Sequence, residues 1–247
     1  VRRPLARSLA LGRPGLFYGS AVRDYLDRVR AVDGDGLSRG VTNGINTYLS
    51  GLISAQLLGT SGGVISQSAS VIKSHAILAG ANTLPGCLVP VVGTAPTNVN
   101  FVAGDYDRRL GLGDPANATK YLDTNRANGA DPQNSQSMSL YIVSGTTANM
   151  AVTPVGGDGQ TCIFVNPGSF PATGPFRSRS TSVTNTRSTA GATGFVGISR
   201  GSAASFTARF NSIDETIVFP SQPPGAGNIF LFARNNLNTG GIDAYSN

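Results

Sequence analysis

Residues 194–219 read GFVGISRGSAASFTARFNSIDETIVF, and their patterning decides the fold class. Within Ser205–Phe210, Phe206, Ala208 and Phe210 alternate with Ser205, Thr207 and Arg209. A period of two places one set on a dry face and the other on a wet face of a strand. Further runs at 195–200 and 215–219 flank this segment, and others lie at 99–103, 137–143, 161–165 and 228–233. Gly, Pro and Asn clusters separate them. Short strands at this spacing predict an antiparallel β-sandwich. The segments 123–134 and 166–193 are polar and rich in turn formers, so both are expected as exposed loops.

Upstream the pattern is helical. Val22, Tyr25, Leu26 and Val29 share one face of a helix that begins at Ser20, a plausible N-cap, and ends at Gly34 and Gly36. A second helix is predicted over 38–55, with Val41, Ile45, Tyr48, Leu49 and Leu52 on one face. Gly40, Gly44 and Gly51 weaken it. A third is predicted over 62–79, and 87–92 reads as a buried extended stretch. The chain therefore divides into an irregular arm at 1–19, a helical region at 20–82 and a β-sandwich at 83–247. The fold class is mainly β with a small α-helical N-terminal region.

Composition narrows the function. Hydrophobic residues make up 40% of the 247 residues, enough for a sizeable core, while charged residues make up only 13%. The net charge of +6 comes almost wholly from arginine, since Lys73 and Lys120 are the only lysines. The one dense basic run is Arg2, Arg3, Arg7 and Arg13, read as a docking arm or a solvated tail. No aromatic stacking platform or binding motif accompanies it, so nucleic acid is not an expected partner. No apolar stretch reaches the length of a membrane span, and the interrupted N-terminus does not read as a signal peptide. Cys87 and Cys162 form no metal-type pair; one disulfide or two buried thiols both fit, and the thiols are preferred.

No catalytic constellation emerges. The single histidine, His75, would have to serve any serine or cysteine nucleophile, and nothing around the serines matches a nucleophile turn. Glu215 is the only glutamate. Its neighbour Asp214 would point to the opposite face of a strand, which is poor geometry for glycoside hydrolysis. The segment Ile213–Glu215 is read as a surface turn. Asp105 and Asp107, in FVAGDYDRRL, are weak candidates for a cation; Arg108 and Arg109 beside them could neutralise them, and a turn held by Asp–backbone bonds is the preferred reading. No cofactor is expected.

The stretch TNVNFVAGDYDRRLGLGDPANATKYLDTNRANGADPQNSQSMSLYIV, at 97–143, resembles a concanavalin A-like (LamG-like) jelly-roll module of structural proteins in tailed bacteriophages. The resemblance rests on Phe101–Tyr106, Gly111–Leu112, Asn117–Asn125 and Ser139–Val143, with further matches in TLPGCLVPVVGTAPTN, Gly194–Arg200 and Asn228–Asn235. Similar proteins continue past the position of Asn247 into another strand and a helix. The resemblance implies a concanavalin A-like sandwich and a virion role, most simply a tail fibre or tail appendage that attaches to the host. A capsid decoration protein is the alternative, and a polysaccharide-degrading enzyme on the same fold the second. It also implies a homo-oligomer, most often a trimer, with Val41, Ile45, Tyr48 and Leu52 about a three-fold axis. Other tail or baseplate proteins and a host cell-surface glycan are the further expected partners. Tyr121, Asn125, Arg126 and Asn128 are the first candidates for sugar contact, as exposed residues of a polar loop.

Overall fold

A computed structural model describes residues 19–113, 119–143, 151–152, 161–163, 173–174, 176–180, 187–188 and 193–232. The arginines of the arm, Arg2, Arg3, Arg7 and Arg13, lie outside the described residues, as does the side chain of Cys162.

The first two helices form where the apolar period predicts them. Helix α1 is Ser20–Asp33 and buries Ala21, Val22, Tyr25 and Val29. Its N-cap is Gly19, not Ser20, and Gly34 closes it in the left-handed conformation at φ 75°. Helix α2 is Arg39–Ser54, with Ser38 as its cap. A one-turn helix, α3 (Leu84–Cys87), opens on Thr83, whose side chain accepts the Gly86 N–H.

The helix expected over 62–79 does not form. Strands β1 (Gly59–Ser61) and β2 (Val64–Ser66) pair there as a hairpin. Gly62 and Gly63 carry φ of 59° and 82° at its tip. Two successive positive φ values match the right-handed twist of paired strands, and glycine adopts them without cost. That turn outweighs the helical spacing of Val64, Ile65 and Ala69. Ser70 then closes the hairpin base, accepting from the Gly59 N–H at 2.9 Å and donating to the Ser66 carbonyl at 2.6 Å. Beyond it, β3 (His75–Ala76) pairs with β4 (Pro90–Val92). Cys87 itself sits in the helical turn, so only the end of the 87–92 stretch is extended.

The remaining strands are short and antiparallel. They are β5 (Thr97–Val99), β6 (Tyr106–Asp107), β7 (Gly111–Leu112), β8 (Tyr121–Ala127) and β9 (Gln136–Ile142). Then come β10 (Ala151–Val152), β11 (Thr161–Ile163), β12 (Thr173–Gly174), β13 (Phe176–Ser178) and β14 (Arg187–Ser188). The last are β15 (Gly194–Arg200), β16 (Ser205–Phe210), β17 (Ile213–Val218) and β18 (Asn228–Leu231). A four-stranded sheet runs β17-β16-β15-β9, and a six-stranded sheet runs β13-β11-β10-β18-β8-β5.

Three loop expectations are corrected. Residues 121–127 are a strand, β8, held between β5 and β18 in spite of their polar side chains. Leu122 is their one fully buried apolar residue; backbone pairing on both edges supplies the rest. Within 166–193, Phe176 and Ser178 are buried in β13, and Arg179 and Ser180 after them are buried too. Ile213–Glu215 is strand, paired with β16; the turn falls earlier, at Asn211, whose φ is 52°.

Among the described residues, two hydrophobic clusters form the core. One unites Ile142, Val196, Ile198, Phe206 and Ile217 of the four-stranded sheet with Ile163 and Phe176 of the six-stranded sheet, so the two sheets share a core. The other joins α1 and α2 to Leu84, Cys87, Val91, Phe101, Leu112 and Leu122. This second core runs straight across the division expected at residue 82. Leu231 of β18 packs against both.

Candidate functional site

The four residues nominated for sugar contact lie along β8 and the 3-10 turn after it, but the fold uses them differently. The Tyr121 ring stacks on Phe230, with centroids 4.6 Å apart. Asn125 is exposed in a left-handed conformation at φ 54°. Its side-chain amide donates to the Ala95 carbonyl at 2.8 Å and to Thr97 Oγ1 at 3.0 Å. Arg126 is ion-paired with Asp131. Asn128 is only 2% exposed. Its Oδ1 accepts from Arg179 at 2.9 Å and its amide donates to the Gly225 carbonyl at 3.2 Å. Asn128 is therefore an internal cross-link and not a loop residue open to a ligand. Asn125 and Arg126 do share a small polar cleft of about 100 Å³ with Gln67, Ser74, Thr94 and Thr124. Gln67 and Thr124 are already committed there, donating to the Lys73 and Ile229 carbonyls.

Asp105 and Asp107 do not build a cation site. Both Asp105 oxygens accept from Lys120 Nζ, at 2.8 and 2.9 Å, and one also takes the Val102 N–H. The Lys120 hydrogen bond, with that N–H, holds the Asp105 carboxyl below its ordinary range. Asp105 is thus neutralised by Lys120, not by Arg108 or Arg109. Asp107 accepts the backbone N–H groups of Leu110 and Arg109, which likewise lowers its pKa and makes it a turn residue. Among the described residues no group of three or more His, Cys, Asp or Glu could hold a metal ion.

The face of α2 nominated for a three-fold axis is turned inward. Ile45 is buried, and Val41 and Leu52 pack against the chain's own core. Tyr48 alone is exposed, at 45%, and its hydroxyl shares a 3.0 Å hydrogen bond with His75 Nε2. Burial pulls the His75 pKa down to about 4, so the ring is neutral at ordinary pH. Cys87 is a free, buried thiol, pushed up to about 12 by burial and by Asp33. Asp214 and Glu215 sit on opposite faces of β17; Asp214 is engaged by Arg209 across the strand pair.

The outer face of the four-stranded sheet is a surface that the sequence did not nominate. Register places Ser137, Ser199, Thr207 and Thr216 in one row across it, and Ser139, Gly197, Arg209 and Asp214 in the next. Phe195 and Tyr141 are directly opposite each other beyond that row. They are 38% and 72% exposed. The Phe195 carbonyl and N–H both bond to Asn211, so they point away from β9. Phe195 and Tyr141 therefore form a non-hydrogen-bonded pair, the closer-spaced kind. The Phe195 ring lies over Gly197, where a Cβ would stand 3.0 Å from Cε1 and 3.3 Å from Cζ. Glycine at 197 leaves room for the Phe195 ring, which a side chain there would crowd.

Behind that face, two fully buried arginines brace the loops. Arg200 donates to the carbonyls of Ser178, Ser202, Ser205 and Phe219 at 2.8–3.2 Å, and its guanidinium lies 5.2 Å from the Phe206 ring centroid. Arg179, at φ 54°, donates to Asn128 and to the Asp131 carbonyl. Burial lowers the pKa of both.

Compared with protein-family models, with curated proteins and with solved structures, the chain matches none.

Proposed function

We propose that this chain is a structural subunit of a bacteriophage virion, a tail fibre or tail appendage that takes part in host attachment. Its two sheets would form a concanavalin A-like jelly-roll sandwich, displayed outward, with the N-terminal arm docked to the particle and copies of the chain assembled as an oligomer. One structural observation supports this reading most directly. Several charged groups among the described residues of the sandwich region brace the fold: Arg200 and Arg179 tie loops together through carbonyls, and Asp105, Asp131 and Asp214 are each paired. Such a build yields a rigid display unit, and the resemblance in 97–143 supplies the virion context. If α2 takes part in assembly, it does so through the side away from Val41, Ile45 and Leu52.

Imaging of the intact particle tests the proposal. A symmetric tail appendage with the four-stranded sheet outward is the expected result. Density on the capsid shell would replace it with the decoration reading. Absence of the chain from any particle would remove the virion role.

A further inference from the structure

We infer that Asp35 is a site of spontaneous backbone modification, isomerising through a succinimide to isoaspartate in the connection between α1 and α2. The inference goes beyond the virion reading and does not depend on it. An aspartate or asparagine followed by glycine is open to this reaction, because glycine has no side chain to shield its N–H or restrict its backbone. The sequence holds such pairs at Asp33–Gly34, Asp35–Gly36, Asn43–Gly44, Asn128–Gly129 and Asp158–Gly159. The last lies outside the described residues. The other four look alike as sequence, and the fold separates them.

Three of the four are held. The Asp33 carboxylate accepts from the Asn82 and Thr83 N–H groups and the Thr83 hydroxyl, and the Gly34 N–H is bonded to the Arg30 carbonyl at 3.0 Å. Asn43–Gly44 lies inside α2, where the peptide groups are fixed in helical geometry. Asn128 is buried, and both ends of its amide are bonded, to Arg179 and to the Gly225 carbonyl. Asp35 is exposed and belongs to neither helix. Its Oδ1 lies 2.7 Å from the Gly36 nitrogen. The side chain is thus folded back over the following peptide bond, and the carboxyl carbon is one covalent bond from that contact. Ring closure needs this approach. A Cβ at Gly36 would meet nothing within 4 Å, so no packed neighbour obstructs the closing ring.

In the reaction the Gly36 nitrogen bonds to Cγ of the protonated Asp35 carboxyl. The nitrogen gives its proton to solvent and a carboxyl oxygen leaves as water, which closes a cyclic imide. Water then adds to either imide carbonyl. Opening at the side-chain carbonyl restores aspartate. Opening at the main-chain carbonyl breaks its bond to nitrogen, so the chain runs through Cβ and Cγ and the α-carboxylate is free. One water leaves and one returns, and the mass and oxidation state are unchanged. The product carries an extra backbone atom just ahead of Leu37, which packs against the core, and Ser38, which caps α2.

The test incubates the full chain at neutral pH and reads isoaspartate peptide by peptide. Methylation by an isoaspartyl-specific carboxyl methyltransferase detects it, and electron-transfer fragmentation in the mass spectrometer places it. Chain unfolded in guanidinium chloride is the reference. In the folded chain, isoaspartate should accumulate at Asp35 about tenfold or more faster than at Asp33, Asn43 or Asn128, whereas unfolding should release all three. Gly36→Ala fills open space outside the left-handed region, so it should leave the melting curve intact and slow the reaction at Asp35 by about tenfold. Equal rates at Asp33 and Asp35 in the folded chain would overturn the inference. So would a folded chain that forms no isoaspartate at Asp35 while the unfolded chain does.

Discussion

Gly86 shows how little slack single positions have. A Cβ there would sit 1.8 Å from Asp33 Oδ1. Asp33 ends α1 and accepts from the Asn82 N–H at 2.6 Å, the Thr83 N–H at 3.1 Å and the Thr83 hydroxyl at 2.6 Å, so it clamps α3 onto α1. Gly86→Ala must break that clamp or push the helices apart, and should cost roughly 2–3 kcal/mol by urea denaturation. Arg200 is a second such position. Arg200→Met keeps much of the stem but leaves several carbonyls without a donor, at a cost of about 3 kcal/mol or more in the same assay. His75 gives a pH signature. Its folded pKa of about 4 lies below the unfolded value of 6.5. The unfolded chain therefore takes up the proton first. Stability is full above pH 6.5, falls as the pH drops towards 4 and levels off below that, as far as this group is concerned. The total is roughly 3 kcal/mol. His75→Gln should flatten the profile between pH 6.5 and 4, read from denaturation midpoints, because His75 is the only histidine.

At the level of elements, α2 carries three glycines that no neighbour requires. A Cβ added at Gly40, Gly44 or Gly51 meets nothing within 4 Å. Gly44→Ala and Gly51→Ala should each raise stability by about 0.5–1 kcal/mol, visible as a higher melting temperature. A gain in stability accompanied by loss of assembly would show that the particle, not the fold, needs those glycines. The β1–β2 hairpin makes the opposite case. Gly62 and Gly63 hold φ values that side chains resist. The pair was present in the sequence as a two-glycine turn before a β-branched run, and reading it first would have found the hairpin. The helical spacing of Val64, Ile65 and Ala69 hid it. The strand β8 was less legible, because the polar run DTNRA at 123–127 carries no period. Its place is set by partners distant in sequence, β5 and β18.

Across the whole molecule, β18 is the element on which both cores depend. It lies between β10 and β8 in the six-stranded sheet, and Leu231 touches both hydrophobic clusters. Thermal unfolding should therefore be a single transition by calorimetry. Leu231→Ala should lower its midpoint, at a cost of about 2 kcal/mol, without splitting it. Two resolved transitions would mean that the helical layer and the paired sheets fold independently.

The sequence by itself determined the elements whose signal is local: α1 and α2 from the apolar period, and β9, β15 and β16 from alternation and apolar runs. Only the tertiary structure decided which polar residues are surface and which are internal. Asn128 and Arg179 have the composition of loop residues, and they are buried because they bond each other. The same holds for the apolar face of α2, which a sequence shows as apolar without showing what covers it; here the chain covers Val41, Ile45 and Leu52 itself. The pairing of Phe195 with Tyr141 likewise joins residues more than fifty positions apart. Burial, register and partner choice are properties of contacts between distant segments, and no local pattern encodes them.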